Sequence, residues 1–390
     1  NPLKQLHRAK NLYKKKYRKI SKSISNFKNN KIHIGYFSAD FRAHATTYLI
    51  SEVLRLHNKL EFEIYLYSFP PIEDEYTKMI KDYGCIFRDI KNLNNSEAVQ
   101  LARNDKLDIA IDLMGYVKNN RMEIFSKRVA PIQINYLGYP GSLGAKCIDY
   151  IIADKIVIPD GYERFYSEKV IRMPHCYQCN NDKKEICNKP IFRESFNLPK
   201  KGFVFVCFNA NNKITKREFD IWMRLLKKVN GSVLWLYKSN KWSEENLFRE
   251  AKNRDVDPNR LIFADYLPLK EHLARYSLGN LGLDTFNVNG HTTTSDALWA
   301  GLPVLTKIGE SFAARVSASI LTSIGLNELI TYSEKEYENK ALYIAKNPDL
   351  LIKLKSKLAQ LRVSSPLYNS ELFTRDLETK YKDLVNLHGF

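Results

Sequence analysis

Apolar residues fall into two recurring patterns along this chain. From residue 31 onward, short runs with few polar positions alternate with segments whose apolar residues recur every three or four positions. KIHIGYFSAD (31–40) reads as a buried strand, TTYLISEVLRLH (46–57) as an amphipathic helix and EFEIYLYSF (61–69) as a second strand, which starts a β-α-β rhythm. The rhythm continues with a helix near 76–83, a strand near 85–89, a helix over 96–104, the strand LDIAIDLMG (107–115), the segment VAPIQINYLGYPG (129–141) and the strand CIDYIIAD (147–154). A polar stretch around 180–189 interrupts it. GFVFVCFNA (202–210), a helix over 217–229, SVLWLY (232–237), a helix over 244–253, RLIFADY (260–266), a helix over 269–278 and LGLDTF (281–286) then form a second series. Such strands predict parallel sheets covered by helices on both faces. The expected fold class is α/β: two doubly wound, Rossmann-like domains joined near 180–198, with ligand in a cleft at the carboxyl ends of the strands. A last helix over 373–387 carries Phe373, Leu377, Tyr381 and Leu384 on one stripe and suits either domain. The expected boundaries are 1–30 for a basic helix or linker, 31–185 for an N-terminal lobe, 186–372 for a C-terminal lobe and 373–390 for the final helix.

Composition narrows the class without changing that picture. With 390 residues, 44% of them hydrophobic, the chain has ample material for two cores, and 30 Gly and Pro residues together exclude collagen-like or wholly disordered chains. No run approaches the roughly 18 uncharged apolar residues of a membrane span. A soluble, cytoplasmic protein is expected. The formal charge of +18 is uneven: residues 1–30 hold ten Lys or Arg and no acid, so the other 360 residues carry only +8. Leu3, Leu6, Ala9, Leu12, Tyr13, Tyr17 and Ile20 recur among those lysines at helical spacing. This predicts a basic amphipathic helix, either a solvated joint to something upstream or a surface for acidic lipid or nucleic acid. Because the chain opens on Asn1 rather than Met, an N-terminal truncation is expected. The six cysteines lack the regular spacing of a disulfide framework, and His175, Cys176, Cys179 and Cys187 include one CxxC with no second pair. Reduced thiols and no metal are the expectation.

Three segments carry candidate chemistry. In LGLDTFNVNGHTTTSDALWAGLPVLT (281–306) a strand and a Gly-containing turn lead through His291, Thr292, Thr293 and Thr294 into a helix holding Asp296. Free N–H groups, the helix dipole and the Thr hydroxyls suit a phosphate there. Asp296 either reaches ribose hydroxyls or complements the dipole. In CFNANNKITK (207–216) a strand ends just before Lys213, a cation placed to neutralise a diphosphate, or else simply solvated. In YFSADFRAHATTYL (36–49) the first strand delivers Asp40 and His44, equipment for proton transfer that also serves as a helix cap. LGYPGSLG (137–144) would let backbone approach a ligand, and Asp255-Val256-Asp257 reads as a turn rather than a metal-binding DxD. Neither a Walker-type phosphate loop nor a G-x-G-x-x-G fingerprint is present.

These residues resemble the catalytic region of the O-GlcNAc transferase and SPINDLY-like glycosyltransferases. The resemblance rests on GYFSADFRAH (35–44), APIQINYLGYPGSLGAKCIDYIIAD (130–154), YSEKVIRMPH (166–175), SVLWLY (232–237), NGHTTTSDALWAGLPVLT (289–306), GESFAARVSASIL (309–321) and RVSSPLYN (362–369). It implies a two-lobed GT-B fold and an inverting, metal-independent transfer of a sugar from a nucleotide donor to protein Ser or Thr hydroxyls. By the same resemblance Lys213 binds the departing diphosphate and His291, Thr292 and Thr293 hold the phosphates. Asp296 contacts ribose, His272 and Arg275 surround the base, Leu137 and Gly138 line the sugar pocket, and His44 and Asp40 sit beside the reacting hydroxyl. The implied partners are a nucleotide sugar and protein acceptors; the charge of residues 1–30, apart from the resemblance, adds an acidic surface as one alternative for that segment.

The chain departs from the family pattern at Ala210, where animal members have Gln, at Leu269, where they have Lys, and at Ala45, where Pro is common. It lacks the insert between lobes found in animal members, and residues 1–390 hold no tetratricopeptide repeats. UDP-GlcNAc is the donor favoured by His291 in the NGHTTT turn. UDP-glucose, GDP-fucose and a non-catalytic basic scaffold are the alternatives.

Overall fold

The structure, a computed structural model, describes residues 1–17, 24, 27 and 29–389. Two compact units divide the chain: Asn1–Asp182 with Pro366–Phe390, and Lys183–Ser365.

Unit 1 contains α1 (Pro2–Lys16), β1 (Ile32–Ser38), α2 (Ala45–Leu56), β2 (Phe62–Ser68), α3 (Glu75–Lys81), β3 (Ile86–Asp89), α4 (Asn95–Asn104), β4 (Ile109–Asp112), α5 (Met122–Ser126), β5 (Ile132–Asn135), β6 (Tyr150–Ala153) and β7 (Lys169–Arg172). All seven strands are parallel, in the order β3-β2-β1-β4-β5-β6-β7. The apolar runs explain the register. Ile34, Tyr36 and Ile111 are fully buried, and Phe37 stacks on Tyr67 at 4.2 Å between ring centroids. Two helices start on capping boxes, Asp74 with Thr77 and Asn94 with Glu97.

Unit 2 contains β8 (Val204–Cys207), α6 (Lys216–Lys228), β9 (Val233–Tyr237), α7 (Lys241–Lys252), β10 (Leu261–Ala264), α8 (Leu269–Arg275), β11 (Leu281–Leu283), α9 (Thr292–Trp299), β12 (Val304–Lys307), α10 (Val316–Ile324), β13 (Ile330–Thr331), α11 (Glu334–Lys346) and α12 (Pro348–Ser364). Its six parallel strands run β10-β9-β8-β11-β12-β13. Trp222 and Trp235 fill its core. The strand order reverses between β1 and β4 in unit 1 and between β8 and β11 in unit 2. In open α/β sheets such switch points are where ligands bind, at the carboxyl ends of the strands.

Three placements differ from the sequence-based expectation. Unit 2 starts and ends earlier than residues 186–372, because residues 366–372 are tied to unit 1. There Leu367 and Tyr368 are buried, Asn180 Nδ2 donates to Leu367 O at 3.3 Å and Ser370 Oγ donates to Asn180 O at 2.9 Å. The final helix, α13 (Ser370–His388), begins three residues early and returns to unit 1, with Leu377, Tyr381 and Leu384 buried. A buried polar chain fixes it: His57 bonds through Nδ1 to Glu378 at 2.9 Å and through Nε2 to Tyr36 Oη at 2.8 Å, and Tyr36 meets Tyr381 at 3.2 Å.

The third concerns the basic helix. Rather than a solvated joint, α1 buries Leu6, Ala9 and Tyr13 in unit 1. Gly144, at φ +59°, lies so close that a Cβ there would stand 2.4 Å from Lys10 N, and one on Gly141 would meet the Gln5 side chain at 2.2 Å. Those two glycines therefore receive a helix, not a ligand. Arg18, Lys19, Ile20, Lys22 and Lys28, counted in the basic segment, lie outside the described residues. Among the described residues no helix is long and apolar enough to cross a membrane.

Candidate active site

Both loops at the switch point of unit 2 are organised by one carboxylate. Asp284, just past β11, is buried and accepts hydrogen bonds from Asn209 Nδ2 (3.0 Å), Thr285 N (2.9 Å), Gly290 N (2.6 Å) and Thr306 Oγ1 (2.6 Å). Burial raises its pKa above the ordinary carboxylate value. Asn209 follows β8, so this network clamps the β8 loop to the turn that starts α9. Gly290 is required in that turn, since a Cβ would stand 2.4 Å from Thr294 Oγ1.

The turn presents donors. His291 occupies the N-cap position of α9 without a side-chain cap hydrogen bond, so its side chain does not satisfy the first N–H groups of the helix. The Thr292 and Thr293 side chains are half-buried, whereas Thr294 is spent on structure, its Oγ1 2.8 Å from Ser317 Oγ, which donates to Gly290 O at 2.9 Å. Lys213 reaches the same turn from the 3-10 segment Asn211–Lys213, where its Nζ donates to Asn289 O at 3.0 Å. Burial lowers its pKa, with Asp284 acting in the opposite direction. The partly exposed His291 ring is neutral: desolvation, then Lys213, pushes its pKa down to about 3, and Nε2 lies 3.4 Å from Ala313 O. A phosphate here would meet one ammonium, a helix N-terminus and two hydroxyls, and among the described residues no carboxylate forms an ion pair with the lysine.

A second cluster sits on α8. Arg275 is 1% exposed, donates through Nη1 to Asp265 O at 2.6 Å and lies 4.6 Å from the centroid of Phe208. Its Nη2 donates to His272 Nδ1. An imidazole accepting at Nδ1 carries its proton on Nε2, and desolvation followed by Arg275 keeps the pKa down at about 3. His272 is thus fixed as a neutral donor beside Phe208 and Tyr276, ring centroids 5.5 and 5.1 Å away. Such an arrangement suits the carbonyl edge of a planar base. Asp296, on the second turn of α9, is paired with Lys184 Nζ at 2.7 Å, and the two side chains are 8% and 2% exposed.

In unit 1 the β1/β4 switch point carries Asp40 and His44. Asp40 and His44 lie between β1 and α2, with His44 Nδ1 3.4 Å from Asp40 Oδ2. The same Nδ1 is 3.3 Å from Thr46 N, so the ring also caps α2, and the two roles need different tautomers. With Nδ1 protonated toward Asp40, Nε2 is a free base. Desolvation lowers the His44 pKa, while Asp40 raises it and Arg42 lowers it further. Leu137, past β5, holds φ +68°, a left-handed backbone that a leucine adopts only under constraint. Gly138 beside it permits close contact with the backbone just past β4, for a Cβ would overlap Leu113 O at 1.9 Å.

This chain is similar to known proteins over nearly its whole length. The model of "Glycosyl transferase family 41" matches residues 4–191 and 185–377. The chain belongs to that family. Among curated relatives, "Probable UDP-N-acetylglucosamine--peptide N-acetylglucosaminyltransferase SEC" of Arabidopsis thaliana is 36% identical over 366 residues, covering 92% of this chain and 37% of its own length. A SPINDLY protein of the same description from Oryza sativa subsp. japonica is 30% identical, covering 97% and 42%. The chain therefore spans about two fifths of the relatives it matches. Among solved structures, a variant of the Thermobaculum terrenum O-GlcNAc transferase aligns with TM-score 0.91 and 27% identity, covering 98% of this chain and 74% of that one. Sucrose-phosphate synthase of Thermosynechococcus elongatus, at TM-score 0.63 and 12% identity, shares the fold, of GT-B type.

Within this family 41 chain, unit 2 brings together Lys213, His291, Thr292 and Thr293 at one turn, His272 and Arg275 on α8, and Asp296 on α9. Unit 1 holds Asp40, His44, Leu137 and Gly138. Sequence reasoning missed Asn209, Asp284 and Lys184. Nothing in the local pattern marks them, although an Asp ending an apolar strand, LGLD, hints at Asp284. Asp112, also missed, ends β4: it accepts from Met114 N at 2.9 Å, and burial raises its pKa to about 6. Cys176 and Cys179 are buried in unit 1 and Cys187 belongs to unit 2, where its N–H donates to Lys270 O at 3.1 Å. Among the described residues no group of three or more His, Cys, Asp or Glu could hold a metal ion. Asp257 accepts from Asn259 N at 3.0 Å, a turn contact.

Proposed function

We propose that this chain is the catalytic region of a protein O-glycosyltransferase that moves GlcNAc from UDP-GlcNAc to Ser or Thr hydroxyls with inversion and without a metal. The observation that carries the reading is the uncapped start of α9 facing Lys213 at the β8/β11 switch point. The names of the relatives supply the donor and the peptide acceptor. In the reaction the acceptor oxygen bonds to the anomeric carbon as the bond from that carbon to the UDP oxygen breaks. UDP leaves with the bonding pair. Lys213 and the α9 amides stabilise that charge, a task a divalent cation can perform elsewhere. The acceptor proton goes to His44 Nε2, with Asp40 holding the Nδ1–H tautomer. His272 and Arg275 recognise uracil, Asp296 the ribose, and Leu137 with Gly138 the sugar.

Six cysteines outside any disulfide among the described residues suit a reducing compartment, and we place the protein in the cytoplasm. The exposed Lys4, Arg8, Lys10, Lys14, Lys15 and Lys16 make α1 the surface for an acidic partner. The test is mass spectrometry of Ser/Thr peptides incubated with the protein, EDTA and UDP-GlcNAc, UDP-glucose or GDP-fucose. A HexNAc mass increment from UDP-GlcNAc alone, with a β-linkage by NMR, is expected. Transfer from another donor changes the substrate, and a requirement for added divalent metal refutes the metal-free step.

A further inference from the structure

The connector residue Lys184 belongs to none of the motifs that define the nucleotide half of unit 2, yet its charge is deeply buried there. Its side chain is 2% exposed, and Nζ lies 2.7 Å from Asp296 Oδ1 and 5.8 Å from the Trp299 ring centroid. The backbone is fixed as well: Trp299 Nε1 donates to Lys184 O at 3.0 Å, and Arg362 Nη1 donates to Trp299 O at 2.7 Å. The ion pair therefore has a preset geometry.

Stability gives little reason for it. A buried ion pair recovers little more than its desolvation penalty and is commonly replaceable by apolar side chains of similar volume. Position gives a better reason. Asp296 lies four residues beyond Thr292, about 6 Å along the helix from the N–H groups that face phosphate, and α8, with the base-facing His272, packs against α9. A ribose linking a phosphate on α9 to a base on α8 passes this carboxylate. Lys184 engages Oδ1, and Oδ2 accepts from no donor among the described residues.

We propose that Lys184 is a positioning residue for the donor ribose: it locks Asp296 through Oδ1 and turns Oδ2 toward a ribose hydroxyl. This rests on the nucleotide reading of unit 2. The role is one of specificity, since the hydroxyl is recognised only while the carboxylate is held.

The test compares the affinities of the full chain for UDP and 2′,3′-dideoxy-UDP, before and after Lys184→Met, which keeps the stem and removes the charge. The unsubstituted chain should prefer UDP by about tenfold or more, the scale of one charge-assisted hydrogen bond. Lys184→Met should lose that preference, weakening UDP while leaving dideoxy-UDP within about twofold. Equal weakening of both ligands, or no change, overturns the assignment. Should the single variant lose its cooperative melt, the double variant Lys184→Met, Asp296→Asn removes the stranded charge. Loss of the ribose preference there is expected, and its persistence refutes the proposal. Absence of UDP binding by the unsubstituted chain overturns the nucleotide reading itself, a different result from binding without ribose preference.

Discussion

Replacing Lys213 with Met removes one charge from the α9 turn and leaves a side chain of similar length. The loss can be sized from its surroundings. One ammonium and one phosphate charge about 4 Å apart attract by about 4 kcal/mol at an effective dielectric of about 20. Hydrogen bonds to charged groups contribute about 1.5–3 kcal/mol, which overlaps with that figure rather than adding to it. Lys213 is half-buried and among the described residues forms no ion pair, while the nearby Asp284 offsets part of its charge. A loss of about 2–4 kcal/mol in UDP binding follows, roughly 30- to 1000-fold in Kd. Calorimetry with UDP reads this directly, and uridine, which has no phosphate, is the control that should be unaffected. Losing the 3.0 Å bond to Asn289 O should change stability by only about 1 kcal/mol. A variant that binds UDP within about threefold of the unsubstituted chain refutes the phosphate assignment.

Three other perturbations are sharp. Because burial lowers the His44 pKa and Asp40 raises it, the acid limb of kcat/KM should fall below the ordinary histidine value of about 6.5. Asp40→Asn should shift that limb to still lower pH while reducing kcat, and an unmoved limb removes the pair from proton transfer. Asp112, with a folded pKa of about 6 against an ordinary value of 3.8, binds its proton more tightly folded than unfolded, so native stability should decline between pH 4 and 6. Asp112→Asn should abolish that decline, a gain of up to about 3 kcal/mol at pH 7 in chemical denaturation. Gly144→Ala, which places a Cβ at φ +59° against the α1 backbone, should cost about 1–3 kcal/mol and expose residues 1–17 to protease; native-like resistance would contradict the docking of α1.

Much of this was legible in the sequence, for physical reasons that differ between elements. Parallel strands buried on both faces write themselves as apolar runs, so IAID and VFVC announce β4 and β8. The carboxyl ends of such strands are where ligands bind in open α/β sheets, which is why Lys213 and His291 could be singled out as candidates from position. What escaped depends on long-range pairing. The stripe on α13 shows that a face is buried but not against which unit, and the deciding contacts, Glu378 with His57 and Tyr381 with Tyr36, span more than 300 residues. On α1 the lysines outweigh the apolar stripe in composition, while Leu6, Ala9 and Tyr13 decide the packing. The Lys184–Asp296 pair joins positions 112 apart and leaves no local trace.

Whether unit 2 receives a uridine diphosphate decides every role proposed for its residues. Equilibrium binding of the full chain to UDP, UDP-GlcNAc, UDP-glucose and GDP, in EDTA, tests this most directly. Saturable binding of the uridine nucleotides with GDP excluded is the predicted result. A folded chain that binds none of them, or binds GDP as well as UDP, contradicts it.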